Sequence, residues 1–335
     1  MIMVLDTNVW LKERLLRSAT GVALLYAVRR VGAKLLLPDT TRREILAGVE
    51  RDGAGAVNNV ERGLRIIQSL VGTRPGVETP TAEDFRRAAE FRLDELQDLI
   101  EPVAVTSNHL ERALDRVIEH RPPASTREEF RDCVLWECIR DLDEECLFVT
   151  EDSDFLDKTA KGSVLSSELG EESGGDVRLF ANIADLLRAV ESQLPQVNVE
   201  RIADAIAAAV EPELEAAAAS QDWHPGHRID SSVELYATER SNTITAVFDL
   251  EFQALDGEDL QGTRVSEGVA RVTGECLWSD ERGVSEMALD RIDLFTGDGD
   301  RIKGGVAYVR GAVISGGGPP AVPYKVRTPI PRRPA

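Results

Sequence analysis

Residues 1–10, MIMVLDTNVW, decide how this chain is read. Five apolar residues run straight into Asp6, Thr7 and Asn8. A short continuous apolar run of this kind has the pattern of a strand buried on both faces. This one ends on a carboxylate, a hydroxyl and an amide. Residues 147–155, LFVTEDSDF, repeat the arrangement with Thr150, Asp152 and Asp154. KLLLP (34–38) reads as a further strand, and DVRLF (176–180) as a weaker one. Amphipathic helical patterns lie between them: LLRSATGVALLYAVRR (15–30), DTTRREILAGVE (39–50), AAEFRLDELQDLIE (88–101) and SNHLERALDRVIEH (107–120). Apolar runs alternating with such helices give an α/β fold, a parallel sheet flanked by helices. Asp39-Thr40-Thr41 reads as a helix cap. Thr126 with Glu129, after the breaker RPPAS, reads as a capping box.

Near residue 195 the texture changes. VERIADAIAAAVEPELEAAAA (199–219) is an alanine-rich helical stretch. Beyond DWHPGH come alternating, β-branched segments: SSVELYAT (231–238), NTITAVFDLEFQAL (242–255), GVARVTGECLW (268–278) and GGVAYVRGAVI (304–314). They predict a smaller, mostly antiparallel β module. The expected organisation is an α/β domain over 1–194, a helical connector over 195–222, a β-rich domain over 223–322 and a basic, proline-rich tail over 323–335. The β domain has no readable catalytic constellation. Core packing is the expected role of Trp278 and Tyr308, and a homo-oligomer or a protein partner would dock through this domain.

Composition narrows the function. The formal net charge of the 335 residues is −20. That excludes a protein whose task is to coat nucleic acid, since phosphate binding requires Lys and Arg, but it leaves room for an enzyme that meets phosphate through metal ions. The charge is uneven: no acid follows Asp300, whereas Arg301, Lys303, Arg310, Lys325, Arg327, Arg332 and Arg333 do. No apolar run approaches the roughly 20 residues of a membrane span, and the N-terminus has no secretory pattern. Cys133, Cys138, Cys146 and Cys276 match no zinc spacing, so reduced thiols and a cytoplasmic location are expected. His224 and His227 lack further ligands for zinc and read as a solvent-exposed loop.

In an open parallel sheet, ligands bind outside the carboxyl ends of the strands. Asp6 ends the first strand, and Asp152 and Asp154 follow a later one. Glu44 lies in the first turns of the helix after KLLLP, and Asp132 early in the helix FRDCVLWECI (130–139). Clustered carboxylates repel. Either Arg and Lys neutralise them as a structural network, or divalent cations do. Mg²⁺ and Mn²⁺ take oxygen ligands and keep waters, which leaves positions for phosphate oxygens. Two such ions can activate water and stabilise the leaving oxygen in phosphodiester cleavage.

The run VLDTNVW, then REIL with Glu44, then FRDCVLWECI with Asp132, then FVTEDSDF resembles the PIN-domain nucleases over roughly residues 1–190. The resemblance implies Mg²⁺- or Mn²⁺-dependent cleavage of single-stranded RNA, with RNA favoured over DNA. It implies Asp6, Glu44, Asp132 and Asp152 as catalytic metal ligands and Asp154 as an additional ligand. Asn8 and Thr150 match the family's polar supports, with local strand-end capping as the other reading. Arg42, Arg43 and Arg131 flank the acids and either meet substrate phosphates or pair with Asp39 or Glu128. The chain is similar to the larger members that carry an extra C-terminal domain. A catalytically inactive PIN-like scaffold that binds nucleic acid or protein is the rival reading. Phosphatases with an Asp-x-Asp nucleophile are set aside, because Asn8 holds the second position.

Overall fold

A computed structural model describes residues 1–125, 127, 129–156, 165–174, 176–194, 199–219, 223–258 and 264–296. Strands β1 (Ile2–Leu5), β2 (Lys34–Pro38), β3 (Ile100–Val103), β4 (Cys146–Val149) and β5 (Val177–Phe180) form a parallel sheet in the order β3-β2-β1-β4-β5. Every residue of β1 and β4 is buried, as expected of strands covered on both faces. The chain divides into two compact units. Among the described residues, one is Met1–Lys34 with the stretch from Glu144 to residue 296; the other is Leu35–Asp143.

In the first unit, register fixes the edge that matters. Leu5 pairs with Val149, and Val149 with Phe180. The next residues along, Asp6, Thr150 and Ala181, therefore leave the sheet at one level. The stretch after β1 is helical at once, as α1 (Thr7–Lys12). The pattern over 15–30 does not make one helix. Arg14, Leu15 and Leu16 all have positive φ, of 51°, 55° and 60°, and α2 starts only at Ala19 (Ala19–Val31), capped by the Ser18 hydroxyl. Gly21 permits this turn, because a Cβ there would stand 2.6 Å from the Leu16 Cα. The unit continues through α7 (Ser167–Glu172) and α8 (Ile183–Ala189). It ends in an antiparallel sheet in the order β6-β7-β8-β9, formed by β6 (Trp223–Ala237), β7 (Thr243–Glu258), β8 (Arg264–Ser279) and β9 (Gly283–Thr296).

The stretch expected as a connector carries α9 (Val199–Ala219). Ile202, Ile206, Val210 and Leu214 recur every fourth residue and share a core with Phe248, Leu250 and Val272 of that sheet. Trp278 is buried in the same core. The loop reading of DWHPGH is corrected from Trp223 onward: these residues open β6 with an irregular register, Trp223 is buried, and His224 and His227 are exposed. β9 was not anticipated. GGVAYVRGAVI, with Tyr308, and the basic tail lie outside the described residues. Helix α2 docks on this sheet. Thr245 donates its hydroxyl to the Ala19 carbonyl at 2.7 Å, and the Thr20 amide donates to Glu275 at 2.9 Å.

In the second unit, β2 leads into the 33-residue α3 (Asp39–Val71). The helix begins one residue earlier than its sequence suggests. Pro38 is the N-cap, and Asp39 sits in the first turn, where the helix dipole favours a carboxylate. α4 (Ala82–Glu95) stops before residue 100, and the last two residues of the pattern over 88–101 belong to β3. That strand has the sequence IEPV and is half exposed, which suits an edge position that tolerates proline. α5 (Ser107–Ile118) packs against α6 (Phe130–Arg140). The capping box at Thr126 does not open α6: its N-cap is Glu129, and Thr126 lies outside the described residues. Among the described residues no helix is long and apolar enough to cross a membrane.

Candidate active site

Asp6 is the N-cap of α1 by backbone position, but its side chain makes no cap hydrogen bond. The carboxylate is 4% exposed, and Thr150, itself fully buried, donates its hydroxyl to Asp6 Oδ2 at 2.9 Å. The same hydroxyl oxygen accepts the Asp152 amide at 3.0 Å, and Asp152 Oδ1 accepts the Asp154 amide at 2.8 Å. One relay of bonds thus runs Asp6–Thr150–Asp152–Asp154 along the carboxyl ends of β1 and β4. Asp154 is buried and Asp152 half-buried. Phe155 anchors the segment from beneath, edge-on to Phe148 with ring centroids 5.0 Å apart. Asn8 is exposed on α1. Lys12 at the end of α1 pairs with Glu151.

The second unit holds the other two expected ligands. Glu44 lies in the second turn of α3, and Asp132 in the first turn of α6, which packs against α3. Arg131 pairs with Glu44 at 3.0 Å, and Arg42 with Asp94 at 3.6 Å. Arg42 thus meets Asp94 rather than the expected Asp39, because tertiary packing brings in a residue from another helix; Glu128, the other expected partner, lies outside the described residues. Arg43 is exposed.

Glu137, five residues past Asp132, belongs to a separate network. It is fully buried, pairs with the fully buried Arg116, and reaches Arg112 at 2.8 Å and Arg140 at 3.0 Å. Nothing in the sequence singled it out, because the arginines come mainly from another helix. All four cysteines are free and buried. Burial pushes the Cys133 thiol up to about 11, and the Cys138 and Cys146 thiols up to about 12. Thiols so far from ionising are poor nucleophiles at neutral pH.

Among the described residues no group of three or more His, Cys, Asp or Glu side chains is gathered for a metal ion. Asp6, Asp152 and Asp154 in the first unit, and Glu44 and Asp132 in the second, each offer only hard oxygen donors, the kind that Mg²⁺ or Mn²⁺ takes. The Thr150 hydroxyl holds the Asp6 carboxylate in the manner of an outer-shell partner. Residues 3–155 match the family model of the PIN domain. No curated protein matches the chain.

Proposed function

The chain carries a PIN domain over residues 3–155, a nuclease-type fold, and from this premise we propose that the protein is a divalent-metal-dependent phosphodiesterase acting on single-stranded RNA. The observation that carries the reading is the Asp6–Thr150–Asp152–Asp154 relay. It links the buried Asp6 to the half-buried Asp152 and to the Asp154 amide, and the carboxyl edge of an open parallel sheet is where ligands bind, which supports the reading. Asp6, Glu44, Asp132 and Asp152 are proposed to hold Mg²⁺ or Mn²⁺, with Asp154 as a further ligand. When bound, such ions supply an activated water and charge stabilisation on the phosphate oxygens. Thr150 fixes the Asp6 rotamer, and Asn8 is available to solvent and substrate at the same edge. Arg42 and Arg43, both exposed, are proposed to meet substrate phosphates. Arg131 is better placed to neutralise Glu44. The four free thiols support a reducing compartment such as the cytoplasm.

One observation favours the rival reading of an inactive scaffold. The Arg131–Glu44 pair neutralises an acid without any metal. Cleavage of an end-labelled single-stranded RNA with Mn²⁺, with Mg²⁺ and with EDTA separates the two. The nuclease reading expects cleavage with a divalent ion and none in EDTA. Binding of RNA without cleavage under every condition would establish the scaffold.

A further inference from the structure

A cavity of about 370 Å³ opens at the carboxyl edge of β1, β4 and β5. That volume lies at the small end of ligand sites. One wall is Thr150 and Glu151, the residues that leave β4, with Ala181 and Asn182, the residues that leave β5. The facing wall comes from the C-terminal sheet, through Val247, Gly274, Glu275 and Asp290. The cavity therefore shares Thr150 with the carboxylate relay.

Its polarity is graded. The cations Lys12 and Arg188 are 31% and 47% exposed and stand at the mouth, Lys12 paired with Glu151 and Arg188 with Asp185 and Glu234. The carboxylates Glu13 and Glu275 are 4% and 2% exposed and form the floor. Both floor carboxylates are held in place by the start of α2. Glu13 accepts the Ser18 hydroxyl and, at 2.7 Å, the Thr20 hydroxyl, and Glu275 accepts the Thr20 amide at 2.9 Å. Leu156, Ile183 and Val247 supply apolar wall. A nucleotide has the opposite gradient: a phosphate at one end, a flat apolar ring between, and N–H donors on the base edge. Carboxylates accept from exocyclic amino groups such as cytosine N4, whereas uracil presents a carbonyl there. Single-stranded bases are read in this way, splayed out of the stack and bonded on their edges.

We infer that this cavity binds one nucleotide of the substrate strand beside the scissile phosphate, and that it selects bases carrying an exocyclic amino group over uracil. The strand as the source of the nucleotide rests on the nuclease reading above; the cavity's chemistry does not. Lys12 and Arg188 receive the phosphate in exchange for Glu151 and Glu234, Glu13 and Glu275 receive the base, and the C-terminal sheet thereby sets specificity.

The test is calorimetric titration of the full chain, in EDTA, with CMP, AMP, GMP, UMP and cytidine. CMP, AMP and GMP should bind about tenfold or more tightly than UMP, the weight of about one charge-assisted hydrogen bond. CMP should likewise exceed cytidine, and Arg188→Ala should remove that advantage. Val247→Trp, with its melting temperature matched to the parent, should abolish binding of all of them. Equal binding of UMP, or unchanged binding in Val247→Trp, overturns the inference. The source is settled by an oligouridine carrying one cytidine, incubated with Mn²⁺. Cuts clustered at the cytidine in the parent and spread evenly in Val247→Trp support a substrate subsite. Cuts placed identically in both contradict it. Nucleotide binding without any cleavage would remove the nuclease reading and leave a nucleotide site. Cleavage without base selection would do the reverse.

Discussion

Thr150 links the Asp6 carboxylate to the backbone of Asp152. Its hydroxyl donates to Asp6 and its oxygen accepts from the Asp152 amide. Thr150→Val keeps the shape and removes both bonds. It should destabilise the protein by roughly 1–3 kcal/mol, since a buried acceptor and a buried amide lose their partner. It should also lower the rate of RNA cleavage at saturating RNA. Urea denaturation alongside single-turnover kinetics checks both. Asp6→Asn has a different signature. It retains an oxygen for Thr150 but removes a charge, so cleavage should fall by about 10²-fold or more, while the melting temperature without metal holds or rises as carboxylate repulsion is relieved. A variant melting far below the parent would mark Asp6 as purely structural. The thiols give a further check. With burial holding them protonated, none of the four should react with iodoacetamide at pH 8 until urea is added, and activity should survive the treatment. At this scale the sequence was informative, because Asp6, Thr150 and Asp152 follow directly on apolar runs. Arg131 as the partner of Glu44 was not legible, since it depends on how α6 lies against α3.

At the scale of elements, α5 and α6 are joined by charge as well as by their apolar faces. Glu137 is buried among Arg112, Arg116 and Arg140. Removing one partner of a buried network leaves the others uncompensated. Glu137→Ala should therefore cost about 3–5 kcal/mol, read as a lower urea midpoint with an unchanged slope. A loss under 1 kcal/mol would mean that water solvates the arginines. Asp132 lies on the same helix, so activity per folded molecule should fall less than stability does. The elements most easily read from sequence were the fully buried β1 and β4, and β2, buried beyond Lys34. Those missed had composition that competes with their form. β3 carries Glu101 and Pro102, admissible only because it is an edge strand. The 15–30 pattern has good helical periodicity, but three consecutive left-handed residues break it. A short-range pattern cannot anticipate a turn that depends on Gly21 lying against Leu16.

On the scale of the whole molecule, the C-terminal sheet is part of the unit that holds Asp6 and Asp152. Helix α2 is bonded to it through Thr20–Glu275 and Ala19–Thr245. A chain ending at residue 194 should melt at least about 10 °C lower or lose cooperative unfolding, because the buried face of α2 is laid bare. A native-like melt would show instead that the sheet is a separable appendage. The sequence marked the change of texture near residue 195 but not this attachment, which pairs residues more than 200 positions apart. The carboxylates at the sheet edge are proposed to hold a catalytic divalent ion. Mn²⁺ binding, followed by loss of the free-ion electron paramagnetic resonance signal, tests it without relying on turnover. Binding to the parent protein should be saturable, and it should be lost or weakened about tenfold or more in both Asp6→Asn and Asp152→Asn, each still folded. Mn²⁺ binding that is absent from the parent, or unchanged in both variants, would contradict it.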